Sequence, residues 1–159
     1  MPYSAAATAF LRAYKDVIDF AMEREEEEHR FYLTLARRAA TPELARRMRL
    51  HAEEESAHKK MLVKLLADYG IQPDESGELP MGMAGPDDYR LEGEGTHEGP
   101  MSAREEYLLA MRMERSNRRL YEDLARQAEN DLLRETFTLL AEQEARHLVV
   151  LEAELDGIA

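Results

Sequence analysis

The feature that most constrains this chain is an internal duplication with an offset of 89 residues. Residues 21–62 and 110–151 match without a gap at 16 of 42 aligned positions. Each copy carries a glutamate seven residues before a tyrosine, and a second glutamate three residues before a histidine. The corresponding pairs are Glu25 and Glu114, Tyr32 and Tyr121, Glu55 and Glu144, and His58 and His147. A duplicated helix hairpin would bring four glutamates and two histidines together, which is a ligand set for two metal ions.

Helical spacing gives this pattern its chemical meaning. Residues three, four or seven positions apart share one face of a helix, so Glu55 and His58 would project together, as would Glu144 and His147. Carboxylates that bridge two ions hold them roughly 3.5–4 Å apart, and a mixed oxygen and nitrogen donor set suits iron, manganese or zinc. A single Glu-x-x-His is expected by chance in a chain with 33 acidic residues. Two copies in register are much more specific.

Breaks in composition divide the chain into helices. Residues 4–40 lack Gly and Pro, Thr41–Pro42 is typical of a helix start, and the segment 71–101 holds six of the eight glycines. We predict an all-α, antiparallel four-helix bundle that forms one domain over residues 1–159. Its two hairpin repeats would span about 15–70 and 102–155, joined by a long crossover at 71–101. The predicted helices lie near 15–40, 42–69, 102–129 and 131–155, and the first 14 residues either extend the first helix or form a separate short one.

Composition excludes several classes of function. The chain has no cysteine, which excludes disulfides, iron–sulfur clusters and Cys-ligated zinc within these 159 residues. A formal net charge of −12 disfavours nucleic acid as a partner. No segment has the uninterrupted apolar length of a membrane span, and residues 1–17 lack the pattern of a signal peptide. We therefore expect a cytoplasmic protein with no membrane or nucleic-acid partner.

Four short segments resemble the helices of the rubrerythrin-like branch of the ferritin-like diiron carboxylate proteins. They are EEEEHRFYLTLA and AEEESAH in the first repeat, and ERSNRRLYEDLA and AEQEARH in the second. The resemblance covers about residues 15–70 and 102–155 and implies a ferritin-like bundle with two iron ions. It implies that Glu55 and Glu144 bridge the ions. Glu25 with His58 would complete the coordination of one ion, and Glu114 with His147 would complete that of the other. Manganese or a mixed iron–manganese pair is also compatible with these donors.

The resemblance also implies roles for residues beside the ions. Tyr32 and Tyr121 would donate hydrogen bonds to glutamates across the bundle. Rubrerythrins proper carry a further glutamate one turn after the third-helix ligand, where this chain has Asn117. Its repeat mate, Glu28, could supply another carboxylate, but we expect it to lie beside the ligands or in solvent. Rubrerythrins proper also carry a rubredoxin-type domain with four cysteine ligands, and this chain has no cysteine.

Three other histidines fall outside the duplicated pattern. The repeat mates of His29 and His51 are Arg118 and Leu140, so we expect both histidines to have structural or supporting roles. His97 lies in the crossover and is expected at the surface. The run from Glu25 to Glu28 is predicted to be largely solvent-exposed, with Glu25 alone facing inward.

The function implied by the resemblance is reduction of hydrogen peroxide or dioxygen by a diiron oxidoreductase. Because these residues show neither a cysteine site nor a Gly-rich dinucleotide motif, electrons would come from an external donor such as a rubredoxin-type protein. One alternative is iron handling, in which Fe(II) is oxidised at the same site. A second is a non-catalytic metal-binding bundle. We expect a homodimer, and the sequence does not distinguish the native metal, oxidant or reductant.

Overall fold

The computed structural model describes residues 4–72 and 102–158, and these residues form five α-helices and no strand. The helices are α1 (Ala5–Ala13), α2 (Lys15–Arg38), α3 (Pro42–Asp68), α4 (Ala103–Gln127) and α5 (Asp131–Asp156). The predicted all-α class is confirmed, and the four long helices lie within one or two residues of their predicted bounds. The chain divides into two compact units, the first holding α1, α2 and α3 and the second holding α4 and α5. The prediction of a single domain over residues 1–159 stays a prediction.

The first unit is built on a hairpin of α2 and α3, which pack against each other. Its turn is defined by the start of α3, where the side chain of Thr41 accepts a hydrogen bond from the backbone N–H of Leu44 at 3.1 Å. Pro42 follows at the first helical position, where its missing N–H costs nothing. The short connection returns the chain beside α2. We call this pair hairpin one.

The end of α3 is set by Gly70. This residue has φ of 71°, a left-handed conformation that favours glycine because it has no Cβ. The backbone N–H of Gly70 donates to Ala67 at 3.0 Å, and that of Ile71 donates to Leu66 at 3.0 Å. These two bonds give partners to carbonyl groups that would otherwise lack a hydrogen bond at the end of the helix. Ile71 is buried. Gly70 therefore ends α3 in the manner typical of a glycine after a helix.

Residues before α2 form a separate short helix, which resolves the alternative that the sequence left open. Tyr14 interrupts the helical backbone with φ of −98° and ψ of 13°, so that α1 ends before α2 begins. The Ser4 side chain caps α1 by accepting from the N–H of Ala7 at 3.0 Å. α1 contacts α2 and buries Ala7 and Leu11.

The second unit is a hairpin of α4 and α5, which also pack against each other. Ser102 and Glu105 form a reciprocal capping box at the start of α4. Asn130 begins α5 by accepting from the N–H of Leu133 at 3.1 Å. The guanidinium of Arg134 donates to the carbonyl of Ala128 at 2.8 Å and closes the turn. We call this pair hairpin two.

The duplication is visible in the buried apolar residues of the two hairpins. Several positions with the same apolar residue in both repeats are buried in both, among them Ala21 and Ala110, Leu35 and Leu124, Ala52 and Ala141, and Leu62 and Leu151. Each hairpin thus buries the same stripe of small and branched side chains. None of the helices in the described ranges combines the length and apolar character needed to cross a lipid bilayer. The crossover from residue 73 and His97 lie outside the described residues.

Candidate metal centre

The buried face of α2 carries two glutamates and a tyrosine. Glu25, Glu28 and Tyr32 are spaced by three, four and seven residues, which places them on one side of the helix. All three are at most 1% exposed. Glu26 and Glu27, between them, are not buried. The prediction that Glu25 alone of this run faces inward is corrected, because Glu28 shares the same helical face and is buried with it.

α3 places two further donors against this face. Glu55 and His58 lie one helical turn apart, and both side chains are buried. The Nδ1 atom of His58 is 3.4 Å from an oxygen of Glu55 and 3.5 Å from an oxygen of Glu25. One donor atom from each of these three residues lies within 4.8 Å of the others. Hairpin one therefore assembles two carboxylates and an imidazole around one point.

Hairpin two repeats this arrangement with the corresponding residues. Glu114 comes from α4, Glu144 and His147 come from α5, and all three are buried. The Nδ1 atom of His147 is 3.4 Å from an oxygen of Glu114. One donor atom from each of the three residues again lies within 4.8 Å of the others. The duplicated sequence thus produces a duplicated cluster.

The chemistry of these donors fits a divalent metal ion. An isolated carboxylate buried away from water is strongly disfavoured, and buried charges are normally paired or bound to metal. Each hairpin buries two glutamates next to one histidine, and imidazole with carboxylate oxygen is a donor set that iron, manganese and zinc accept. Two carboxylates in each cluster balance the charge of one divalent ion. The residues present therefore fit the metal ions expected from the sequence.

Both tyrosines of the duplicated pattern are buried. Tyr32 and Tyr121 are each 1% exposed. The ring of Tyr32 lies against the ring of His51, with centroids 5.1 Å apart. His51 is itself buried, which agrees with a supporting position in α3. Its repeat mate is Leu140, an apolar side chain that is also buried.

His29 has a different partner from the other histidines. Its Nδ1 atom lies 2.8 Å from the backbone carbonyl of Ala52, a hydrogen bond between α2 and α3. A ring nitrogen that donates to a backbone carbonyl fixes the position of one helix on the other. The structural role expected for His29 agrees with this contact.

The exposed edge of hairpin one carries an ion pair between its helices. Lys59 donates a hydrogen bond to an oxygen of Glu26 at 3.0 Å. This hydrogen bond from Lys59 holds the pKa of Glu26 below its ordinary value, with smaller help from the charge of Arg30. Glu26 and Lys59 each follow a proposed ligand by one residue, so the pair stabilises the register in which Glu25 and His58 approach each other.

Sequence reasoning missed two buried cations of α2. Lys15 is fully buried, and its Nζ atom donates hydrogen bonds to both carboxylate oxygens of Asp19, at 2.7 and 2.6 Å. Arg24 is 1% exposed, and its guanidinium carbon lies 5.2 Å from the centre of the Phe20 ring. Spacing could have indicated both, since Lys15 and Asp19 are four residues apart, as are Phe20 and Arg24.

A comparison with protein-family models matches the chain to rubrerythrin over residues 16–81 and 107–158. The chain belongs to the rubrerythrin family. The matched ranges contain α3, α5, most of α2 and α4, and every residue of the duplicated pattern. A comparison with curated proteins gave no significant match.

Membership of the rubrerythrin family confirms the resemblance drawn from the sequence and, with the helical structure, the ferritin-like fold class. Rubrerythrins are a diiron family, and the cluster in each hairpin has donors that could hold one of two ions. The family is generally one of oxidoreductases.

Proposed function

We propose that this chain is a diiron oxidoreductase that reduces hydrogen peroxide or dioxygen with electrons from an external donor. The observation that carries the proposal is the pair of buried clusters, each with two glutamates and one histidine in the same register, within a rubrerythrin-family chain. The ligands are Glu25, Glu55 and His58 from hairpin one and Glu114, Glu144 and His147 from hairpin two.

The proposed ligand roles follow the order of the residues on the helices. Glu25 with His58 would hold one ion, Glu114 with His147 would hold the other, and Glu55 and Glu144 would be shared by both. The close approach of each histidine to the first glutamate of its own hairpin supports this division. When bound, two iron ions would supply two electrons for reductive cleavage of an O–O bond.

The chain's own residues would hold the ions and manage protons. The four buried carboxylates would neutralise the charge of two divalent ions, and their burial would keep bulk water away. Tyr32 and Tyr121 are buried phenols seven residues after Glu25 and Glu114, and we propose that their hydroxyls donate hydrogen bonds to ligating glutamates. Each phenol can then orient a carboxylate and pass a proton to a departing oxygen.

Electron supply must come from another molecule in this proposal. These 159 residues contain no cysteine and no Gly-rich dinucleotide motif, so they offer no rubredoxin-type or nicotinamide site. We propose a rubredoxin-type protein or an equivalent one-electron carrier as the donor. Iron is the proposed metal, with manganese or a mixed pair as alternatives. A homodimer and a cytoplasmic location stay predictions.

The experiment that tests this function compares catalytic and stoichiometric chemistry. Iron-loaded, reduced protein is mixed with hydrogen peroxide, first alone and then with rubredoxin, its reductase and NADH. The proposal predicts about one peroxide consumed per reduced diiron site without the donor, and continuous consumption with it. The same assay on a Glu55→Ala, Glu144→Ala variant is the control for peroxide loss at free iron.

Two alternatives give different results in the same assay. An iron-oxidising protein would oxidise added Fe(II) repeatedly with dioxygen and gain nothing from the electron donor. A non-catalytic metal-binding bundle would show neither reaction with both ions bound. Continuous turnover by the 159-residue chain with NADH alone would contradict the requirement for an external carrier.

A further inference from the structure

The end of hairpin one that carries its turn is basic, although the chain as a whole is acidic. We call residues 37–49 the tip of hairpin one; they comprise the end of α2, the turn and the start of α3. The tip contains five arginines and a single acidic residue, Glu43, whereas the whole chain has a net charge of −12. The arginines are all exposed, and they are Arg37, Arg38, Arg46, Arg47 and Arg49. The tip is therefore a cationic patch on a strongly negative molecule.

The second repeat has no equivalent of this patch. The corresponding residues, 126–138, contain two arginines and three acidic residues, so their formal charge is negative. The repeat mates of Arg46, Arg47 and Arg49 are Glu135, Thr136 and Thr138. Hairpin two makes its turn without these arginines, so a helix hairpin of this kind does not need them in order to fold.

Local electrostatics within the hairpin explain only part of the patch. The two arginines of α2 lie in its last turn, where cations are favoured by the helix dipole. The three arginines of α3 lie near its start, the positive end of the dipole, where cations gain nothing. Arg47 pairs with Glu43 at 2.7 Å, but Arg46 and Arg49 have no carboxylate partner among the described residues. Their charges are therefore not accounted for by contacts within hairpin one.

An exposed leucine lies beside these arginines. Leu50 is 50% exposed and follows Arg46 by four residues, which places both side chains on one face of α3. Protein interfaces typically combine an apolar centre with a polar rim, and they are enriched in arginine. The repeat mate of Leu50 is Leu139, which is also exposed but follows Glu135 by four residues. Both hairpins thus expose the leucine, and only hairpin one places positive charge beside it.

The tip is close to the proposed ligands of hairpin one. Arg49 precedes Glu55 by six residues, which is about 9 Å along the axis of α3. The buried rings of Tyr32 and His51, with centroids 5.1 Å apart, come between the tip and the ligands in the order of the two helices. A carrier bound at the tip would therefore lie near the proposed ion, as electron transfer requires, because its rate falls steeply with distance.

We propose that the tip of hairpin one is the docking surface for the external electron donor, and that this donor is a small carrier protein with an acidic surface. The inference rests on the proposed function and names the partner of the same site. Opposite charges steer the encounter, and transient electron-transfer complexes commonly bury less than about 1,200 Å². A nucleic acid fits less well, because a long polyanion extends beyond the tip and meets the negative charge of the rest of the chain.

The test replaces the arginines of α3 by their repeat mates. The tip variant carries Arg46→Glu, Arg47→Thr and Arg49→Thr, residues that hairpin two already has at these positions. The control variant carries Lys60→Glu and Arg104→Glu, two exposed positions outside the tip that change the formal charge by the same amount. The partner is a rubredoxin of net negative charge. It serves first as the electron donor in the peroxide assay and then as the ligand in a calorimetric titration.

The tip variant should raise the KM for rubredoxin about tenfold or more at low ionic strength, because a complementary surface charge raises association rates by roughly 10–10³. The dissociation constant from calorimetry should rise by a similar factor, and both differences should shrink at high salt. Peroxide consumption in the first turnover of chemically reduced protein should stay unchanged, because the arginines are not proposed ligands. The control variant should stay close to the wild type in all three measurements.

Two results would overturn the inference. One is an equal loss in the tip and control variants, or no loss in either. The other is tighter binding of the tip to single-stranded DNA or to phosphatidylserine vesicles than to rubredoxin at the same ionic strength. Binding of rubredoxin that depends on the tip, without peroxide turnover, would support the docking surface and contradict the proposed function instead.

Discussion

The Nδ1 atom of His58 lies 3.5 Å from a carboxylate oxygen of Glu25, across the two helices of hairpin one. His147 and Glu114 stand in the same relationship in hairpin two, at 3.4 Å. Each contact joins residues that are far apart in the chain and depends on the register between two helices. That register is the structural basis of the proposed metal centre, because it sets a histidine and a glutamate at the distance from which both can bind one ion.

Removal of a histidine ligand should affect one ion, whereas removal of a bridging glutamate should affect both. His58→Ala and His147→Ala should each lose one ion, because each histidine is proposed to bind only one. Glu55→Ala and Glu144→Ala should weaken both ions, because these carboxylates are the proposed bridges. Metal content per chain after dialysis against a weak chelator is the measurement. His29→Ala is the matched control and should keep two ions, since His29 bonds to the Ala52 carbonyl. Bridge variants that retain two ions at wild-type affinity would contradict the assignment.

Bound metal should raise the stability of the fold by mass action. At free-metal concentrations of 100 and 1,000 times the dissociation constant, the gain is about 2.7 and 4.1 kcal/mol. For a chain of this size that corresponds to an increase in melting temperature of roughly 5–16 °C. Thermal unfolding with and without metal measures it, and the Glu55→Ala, Glu144→Ala variant should show a much smaller response. Equal melting temperatures for metal-free and metal-loaded wild-type protein would exclude coupling between the site and the fold.

The ion pair between Glu26 and Lys59 should make a small, pH-dependent contribution to stability. The hydrogen bond from Lys59 lowers the pKa of Glu26 below its ordinary value of 4.5. The pKa of Glu26 is lower in the folded state than in the unfolded state. The ion pair therefore contributes fully at pH values above the ordinary pKa of 4.5, and its contribution is lost as the pH falls through the folded-state pKa. Glu26→Gln should therefore cost about 0.2–1 kcal/mol at neutral pH and almost nothing in acid.

Urea unfolding of metal-free protein at both pH values measures this difference. Glu43→Gln is the control, because Glu43 pairs with Arg47 within one helix and does not join α3 to α2. A Glu26→Gln penalty that stays the same in acid would show that the effect does not arise from the carboxylate charge.

His29 should stabilise hairpin one through its bond to the Ala52 carbonyl. His29→Ala should reduce the free energy of unfolding by about 0.5–1.5 kcal/mol, the usual net value of one hydrogen bond. Its repeat mate, Arg118, pairs with Glu122 at the surface of α4, so Arg118→Ala should cost less. Urea unfolding of both variants in chelator checks the order. A smaller loss in His29→Ala than in Arg118→Ala would contradict the interhelical role.

Sequence patterns predicted the long helices because their ends carry strong local signals. Thr41 and Pro42 start α3, Gly70 ends it, and Ser102 caps α4, and all of these signals act within a few residues. The separation of α1 from α2 was left open for the opposite reason. The break occurs at Tyr14, where neither a glycine nor a proline marks it, so it follows from packing and not from local preference.

The candidate ligands were predictable because the duplication singles them out, whereas the buried charges around them were not. No burial was predicted for Lys15 or Arg24, and Glu28 was expected beside the ligands or in solvent, since charged side chains are seldom fully buried. Their burial depends on partners that the fold supplies, such as the carboxylate of Asp19 for Lys15 and the Phe20 ring for Arg24. A sequence shows the spacing of such pairs but not whether the face that carries them is covered.

Metal content of the protein, purified from its own host, tests the central claim most directly. Elemental analysis together with an optical spectrum recorded during air oxidation would give the number of ions per chain and identify the metal. The account predicts two transition-metal ions per chain, iron in the first instance, and loss of both in the Glu55→Ala, Glu144→Ala variant. A wild-type protein that binds fewer than two ions when metal is in excess, or a double variant that still binds two, would contradict it.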